Sequence, residues 1–381
     1  MKRRDWIAAA GTVAAAALPR RARAQAPPPR RKSAGVPDGL ETEVVRLRLR
    51  HTWTTTMSSS EYRDTLQARY TRDGVTGVGE GAPIVRYHEN AADARKALEA
   101  ARGLILAGDP WRLETLLGEA VRQLEGQYAA RAALDIALHD WTGKKLGIPV
   151  YRLLGLDPRS APLTTFSIGI DTPETTRQKV REAAEFPVLK VKVGLDTDEA
   201  TIEAVRSVTG KPLRVDANEG WKDKETAIRK IEWLASKGVE LVEQPMPAAM
   251  LEDAAWVRER SPIPVFADEA CLRASSIPPL AGAYHGVNVK IDKAGGLREA
   301  LRMVHTARSC GLKVMLGCMI SSSASTTAAA HLSPLVDFAD LDGHLLVAND
   351  PWEGVAVRDG RLVLPDRPGL GLRRREAKPA A

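Results

Sequence analysis

The chain has 381 residues, 44% hydrophobic and 27% charged, a balance that excludes a disordered or fibrous protein and supplies material for about two domains. Its net charge of +7 would suit a nucleic-acid binder only if the folded part carried it. Residues 1–32 hold nine basic side chains against Asp5 alone, so the remainder is close to neutral and no nucleic-acid partner is expected.

Residues 1–24 have the three parts of an export signal: a basic start at Lys2, Arg3 and Arg4, an apolar run from Ile7 to Leu18, and a small-residue exit at Ala22-Arg23-Ala24. The run falls short of the roughly 20 residues that cross a bilayer, so no stable membrane association is expected. Arg3-Arg4-Asp5-Trp6-Ile7 resembles a twin-arginine signal, with Lys2 and Trp6 departing from the usual residues. A periplasmic location is the expectation. Residues 25–39 are rich in Pro, Arg and Gly and read as a linker. Cys271, Cys310 and Cys318 have no zinc-ligand spacing and cannot form a disulfide framework.

Glu43–Leu49 and Leu66–Tyr70 alternate apolar with polar residues and predict antiparallel strands, while Gly77–Gly81 reads as a loop. Asn90–Leu106, Trp111–Leu124 and Ala129–Lys145 have helical spacing. Residues 40–160 thus read as an α+β unit. From 161 to 349 eight short β-rich runs alternate with amphipathic stretches: Leu163–Ile170, Val188–Val193, Leu213–Asp216, Val239–Glu243, Pro264–Ala267, Gly286–Ile291, Lys313–Leu316 and Asp337–Leu341. That repetition predicts a parallel β/α barrel. A doubly wound sheet would need an early Gly-rich phosphate fingerprint, and the sequence has none. Residues 350–372 alternate again and are expected to return to the N-terminal unit. Residues 373–381 read as a disordered tail.

Barrel strands end at a common mouth, where active sites are built. Asp216, Glu243 and Asp268 close three successive strands, one β/α repeat apart each time. Any one of them alone would read as a helix cap or an ion-pair partner. Three in phase repel one another, and all-oxygen ligation fits Mg²⁺. Lys190 and Lys192 share one face of the preceding strand, and Lys290 ends a strand across the mouth. Like-charged neighbours and burial are expected to lower a lysine pKa and make it a base. Two such lysines could take a proton from one face of an α-carbon and return one to the other, through an enediolate.

Lys190-Val191-Lys192, Asp216-Ala217-Asn218, Glu243-Gln244-Pro245, Ala267-Asp268-Glu269 and Asn288-Val289-Lys290-Ile291-Asp292-Lys293 resemble the enolase superfamily, muconate-lactonising subgroup. Gly317-Cys318-Met319 and Asp340-Leu341-Asp342-Gly343 narrow the resemblance to the dipeptide epimerases, whose type activity is the L-Ala-D/L-Glu epimerase. The resemblance implies a modified (β/α)7β TIM-like barrel with a β-β-α start under an α+β capping domain. It implies one Mg²⁺ on Asp216, Glu243 and Asp268, with Lys192 and Lys290 as acid/base pair and Lys190, Asn218 and Glu269 in support. Lys293, in the loop after Lys290, competes for the second lysine's role. By the same analogy Met319, Asp340 and Asp342 contact a small dipeptide, the two aspartates holding its ammonium group. From spacing alone, Asp340 and Asp342 read equally well as loop and helix-capping residues. A homo-oligomer is implied by the resemblance only.

The same apparatus serves muconate cycloisomerases, o-succinylbenzoate synthases and N-acylamino-acid racemases, whose substrates offer no ammonium for Asp340 and Asp342. A non-catalytic solute-binding barrel would lack the lysines. Two departures bear on specificity. Ser58 stands where the Ala-Glu enzymes carry a side-chain-binding Arg, and Arg63 could replace it only in a differently arranged loop. Ser321-Ser322-Ser323 stands where many relatives place an acidic residue. With Trp53 and Met57 in the loop, the expectation is a neutral or hydrophobic second residue rather than Glu.

Overall fold

The structure, a computed structural model, describes residues 37–376. The expected export signal, the linker as far as Val36 and the last five residues lie outside that range. Alternation in β1 (Gly39–Thr54) and β2 (Ser59–Arg72) buries Leu40, Leu66, Ala68 and Tyr70. These strands form a long hairpin, and β3 (Val75–Gly81) completes an antiparallel sheet. Helices α1 (Ala91–Ala100), α2 (Arg102–Ala107), α3 (Leu113–Gln123), α4 (Tyr128–Leu146) and α5 (Val150–Leu153) follow.

The loop expected at Gly77–Gly81 is a strand. Its alternate glycines face α4, and a Cβ on Gly77, Gly79 or Gly81 would lie 2.0, 2.0 or 1.9 Å from the carbonyl oxygens of Ala137, Ala133 and Ala129. Glycine is needed here for close approach of strand to helix, and the alanines recur every fourth residue to meet it.

The barrel follows in chain order: β4 (Phe166–Ile168), α6 (Pro173–Glu182), β5 (Leu189–Lys192), α7 (Asp198–Arg206), β6 (Leu213–Asp216), α8 (Lys224–Ser236), β7 (Val239–Glu243), α9 (Leu251–Arg260), β8 (Val265–Ala267), β9 (Gly286–Lys290), α10 (Ile291–Ala294), α11 (Leu297–Ser309), β10 (Lys313–Gly317), α12 (Ser323–Ala330) and β11 (Phe338–Asp340). The eight strands pair in parallel in sequence order, and a bridge from Thr164 to Ala339 closes the ring. Because β4 leads through a helix into a parallel β5, the β-β-α start implied by the resemblance is absent. Leu241, Phe266, Met315 and Phe338 cluster apart from the residues under the helices. Each lies two positions before a mouth residue, on the same inward face and one layer deeper.

Sequence periodicity gave no sign of α12, whose Ser/Thr/Ala residues are buried on every side. Ser322 caps it, and the Ser322 amide and hydroxyl both donate to Glu80 of β3. A carboxylate therefore does stand at this helix N-terminus, where the dipole favours it, supplied by the capping sheet.

The C-terminal segment adds β12 (Trp352–Glu353), the hairpin β13 (Ala356–Arg358) and β14 (Arg361–Val363), and β15 (Arg373–Arg374). Trp352 Nε1 donates to Gln67 of β2 and the Leu370 amide to Asp140 of α4, while Thr164 donates to the Gly360 carbonyl beneath the barrel. The tail expected from Arg373 onward is paired as far as Arg375, since β15 joins β12 and Arg375 donates to Pro351. No helix among the described residues is long and apolar enough to cross a membrane.

Gly79→Ala is expected to destabilise the protein by about 3 kcal/mol, because neither backbone can yield without repacking. Gly103→Ala on α2, where nothing lies within 4 Å of the new methyl group, is expected to be neutral or to stabilise by up to about 1 kcal/mol. Urea unfolding of the two variants measures both.

Candidate active site

Going round the barrel mouth, Lys192 ends β5, Asp216 ends β6, Glu243 ends β7, Asp268 follows β8 and Lys290 ends β9. Parallel registry sets Lys192 beside Asp216 and Asp216 beside Glu243. All five are buried. One carboxylate oxygen from each of Asp216, Glu243 and Asp268 lies within 4.8 Å of the others.

The amines neutralise this cluster. Lys192 Nζ donates to Asp216 at 2.6 Å and Lys290 Nζ to Asp268 at 2.7 Å. Lys190 Nζ lies 2.5 Å from Asp340, 2.8 Å from Glu243 and 3.2 Å from Asp216. Lys293 lies in α10 rather than in a loop, and its amine bonds Asp268 through both the carboxylate and the carbonyl. Burial alone would raise every carboxyl. Lysine pairing reverses this at Asp216 and Asp268, the latter held well below the usual range. Glu243 stays high: burial and the Asp216 charge push it to about 7. Glu269 rises to about 8 through burial beside Asp268 and Asp216.

Lowered lysine pKa values were expected, and the structure has the opposite at Lys190 and Lys290. Burial lowers both, but the attraction of Asp340 and Glu243 for Lys190, and of Asp268 for Lys290, outweighs it. Carboxylates in direct contact dominate over like-charged neighbours farther away.

The triad fits a divalent cation by its donors. Three buried carboxylates converge, and Glu243 Oε2, although close to Lys190, has no hydrogen-bond partner among the described residues. Its other oxygen accepts from Asn288 Nδ2 at 2.7 Å. Asn288 fits because Gly317 faces it: a Cβ there would lie 2.6 Å from Asn288 Oδ1.

Asn218 Nδ2 donates to Glu269 at 3.1 Å, while its amide donates to Asp216. Asn218, Glu219 and Gln244 all have positive φ, at 41°, 63° and 35°. Three strained residues within three positions of the carboxylates Asp216 and Glu243 mark a place where the backbone is held by its surroundings. Gln244, whose role the sequence left unassigned, does the holding: its side chain accepts from the Asp268 and Ala270 amides and donates to the Met246 carbonyl. Also without a sequence signal are Thr165 and Ser167. Thr165 Oγ1 donates to Asp340 at 2.6 Å and the Ser167 amide to Asp342 at 2.5 Å. Lys190 brings Asp340 down to about 2 against the effect of burial, whereas burial and Asp340 raise Asp342 to about 7.

The cavity above the triad has two lobes that share Trp53, Lys192, Lys290, Cys318, Met319 and Ile320. The smaller lobe adds Lys190, Asp340 and Asp342. The larger, about 160 Å³, runs under the capping hairpin and adds Met57, Ser58, Arg63 and Tyr87. The hairpin tip is tied down by Thr56 Oγ1 to the Asn218 carbonyl and by the Ile170 amide to the Thr54 carbonyl. Arg86 adds a latch with two bonds of 2.7 Å to Glu219.

Residues 42–155 match the family described as mandelate racemase / muconate lactonizing enzyme, N-terminal domain, and residues 174–378 match enolase C-terminal domain-like. An L-Ala-D/L-Glu epimerase of Bacteroides thetaiotaomicron is 45% identical over 86% of this chain and 85% of its own length. An L-Ala-D/L-amino acid epimerase of Pedosphaera parvula is 43% identical over 86% of this chain and 96% of its own. Among solved structures, a dipeptide epimerase from Enterococcus faecalis V583, complexed with Mg and L-Leu-L-Tyr, superposes with a TM-score of 0.82 at 31% identity, covering 88% of this chain and 99% of that one.

Because Glu243 holds a proton up to about pH 7, a cation must displace it below that pH. Mg²⁺ affinity is expected to rise about fivefold from pH 6 to pH 7 and by no more than about twofold beyond. Calorimetric titration checks this. Asp216→Asn is expected to weaken binding by at least about 100-fold.

Proposed function

This chain belongs to the enolase superfamily, with both domains of its mandelate racemase/muconate-lactonising branch, and on that premise we propose that it is a Mg²⁺-dependent dipeptide epimerase. It inverts the α-carbon of the C-terminal residue of a small dipeptide by 1,1-proton transfer. The observation that carries this reading is the order lysine, three carboxylates, lysine across five neighbouring strand ends. The epimerase relatives and the dipeptide-bound structural neighbour support it.

Asp216, Glu243 and Asp268 hold the Mg²⁺, which when bound supplies positive charge against the electrons that move into the substrate carboxylate as the α-proton leaves. Lys192 takes the proton from one face of the α-carbon, and Lys290 gives one to the other. For the opposite stereoisomer the two exchange roles. A lysine must be neutral to accept the proton. At Lys290 the pull of Asp268 opposes burial, so engagement of Asp268 as a ligand would weaken that hold and let burial favour the neutral amine.

Lys190 stays charged between Asp340 and Glu243 and acts as a support. Asn218 and Glu269 brace the loop after Asp216, and Met319 forms wall common to both lobes. Of the two aspartates, Asp340 is already engaged by Lys190 and Thr165. Asp342 is therefore the main acceptor for the substrate ammonium, whose charge would ionise it. An ammonium contact separates this reading from cycloisomerase, succinylbenzoate synthase and N-acylamino-acid racemase chemistry. The basic, apolar leader at residues 1–24 supports placing the enzyme in the periplasm.

Lys192→Ala and Lys290→Ala are each expected to lower epimerisation by about 10³-fold or more. Each variant should still exchange the α-hydrogen of one stereoisomer in D₂O, and the two variants should retain opposite stereoisomers. NMR exchange rates on paired L,L and L,D dipeptides measure this. Loss of both exchanges in one variant and neither in the other would contradict the two-base arrangement.

A further inference from the structure

The described residues hold a second cavity, of about 170 Å³, that shares no lining residue with either lobe of the barrel mouth. It lies in the seam where α3 and α4 of the capping unit face α10, α11 and the loop after β8. Roughly 150 Å³ admits a benzene ring, so the space suits a ligand of that order of size. One side is apolar, with Leu117, Val121 and Leu124 at α3 and Leu272 across the seam. The other carries four guanidinium groups, those of Arg131, Arg273, Arg298 and Arg302.

These four cations are unequally matched. Glu114 serves both Arg298 and Arg302, and Arg302 also faces Glu299 at 3.6 Å. Asp135, the other acid in the lining, is spent on the Leu297 amide and on His139. Arg131 and Arg273 have no carboxylate partner among the described residues. Arg131 Nε and Nη2 donate to the Leu124 and Val121 carbonyls at 2.8 and 3.1 Å, and Arg273 Nη2 donates to the Tyr128 hydroxyl at 3.1 Å. Arg131 is half-buried, and burial and the Arg273 charge both lower its pKa. Arg298 Nε is buried with no hydrogen-bond partner among the described residues. A guanidinium has five N–H donors, so the seam holds donors drawn out of water and still lacking an acceptor.

We propose that this seam is a binding site for a small organic acid, its carboxylate received by Arg131 and Arg273 and its apolar body lying against Leu117, Val121, Leu124 and Leu272. Tyr128 brings the two guanidinium groups together: its hydroxyl accepts from Arg273, and its ring centre lies 5.3 Å from the Arg131 guanidinium carbon. A carboxylate matches guanidinium donors in charge and geometry. A cation would be repelled, a hydrocarbon would cover Arg131 without pairing it, and an inorganic anion would leave the apolar side wet. Neither Mg²⁺ nor a dipeptide takes part, so the site stands apart from the reaction at the mouth.

The test is an NMR titration of the protein with benzoate, with and without Mg²⁺. A Kd of about 1 mM is expected for so small a ligand, equal in both conditions, and benzamide should bind at least about tenfold more weakly. Arg131→Met and Arg273→Met are each expected to weaken benzoate by about tenfold or more. Val121→Trp, which fills the apolar side and keeps both arginines, should abolish binding, and it decides the matter if circular dichroism shows an arginine variant unfolded. Arg63→Met and Lys192→Ala, at the mouth, should leave binding within about twofold of wild type. No saturable binding, equal binding of benzamide, displacement by an equal concentration of inorganic phosphate, or loss in Arg63→Met but not in Arg273→Met would overturn the assignment.

Discussion

Three carboxylates buried side by side at the end of a barrel repel one another strongly, and the rest of the mouth is arranged around that repulsion. Lysines from β5 and β9 bracket the trio, Lys190 sits beneath Glu243, and Lys293 reaches Asp268 from α10. Without cations these anions could not stay ionised in so dry a place. Glu243, the least paired, is the one whose proton lingers. In the reaction proposed above, an ion that relieves this repulsion would also make an α-proton acidic, so charge balance and catalysis would have the same source.

Geometry at the mouth depends on packing elsewhere. The glycines of β3 let the capping sheet lie directly on α4, and Glu80 joins that sheet to the N-terminus of α12. The β1–β2 hairpin is thereby fixed over the barrel, where Thr56 fastens it to Asn218, and Arg86, in the segment after β3, ties the same unit to Glu219. Those residues are the strained ones. A capping unit that presses on a strained ligand loop holds the reacting groups in place and gives the lobe with Arg63 its roof.

Much of this was legible in the sequence, for a physical reason. Strand ends in a parallel barrel point to one place, so Asp216, Glu243, Asp268, Lys192 and Lys290 could be brought together from spacing alone. Position along a strand gave the parity of Lys190 and Lys192 as well. What escaped depended on contacts between units distant in the chain. Gly77–Gly81 looked like a loop because glycine weakens a strand, and only the alanines of α4 reveal why it is there. The buried helix α12 has no apolar stripe because it has no exposed face. Glu80, Thr165 and Ser167 carry no motif, and their roles come from partners more than 170 residues away.

In the proposed reaction this mouth removes and returns an α-proton on a dipeptide. Its most direct test is to incubate the purified enzyme with Mg²⁺ and a mixed set of L,L-dipeptides in D₂O, following mass by spectrometry and configuration by NMR. The account predicts a gain of one deuterium at the α-carbon of the C-terminal residue, with inversion there and no change at the N-terminal residue. No uptake across the whole set, or uptake at the N-terminal α-carbon, would contradict it.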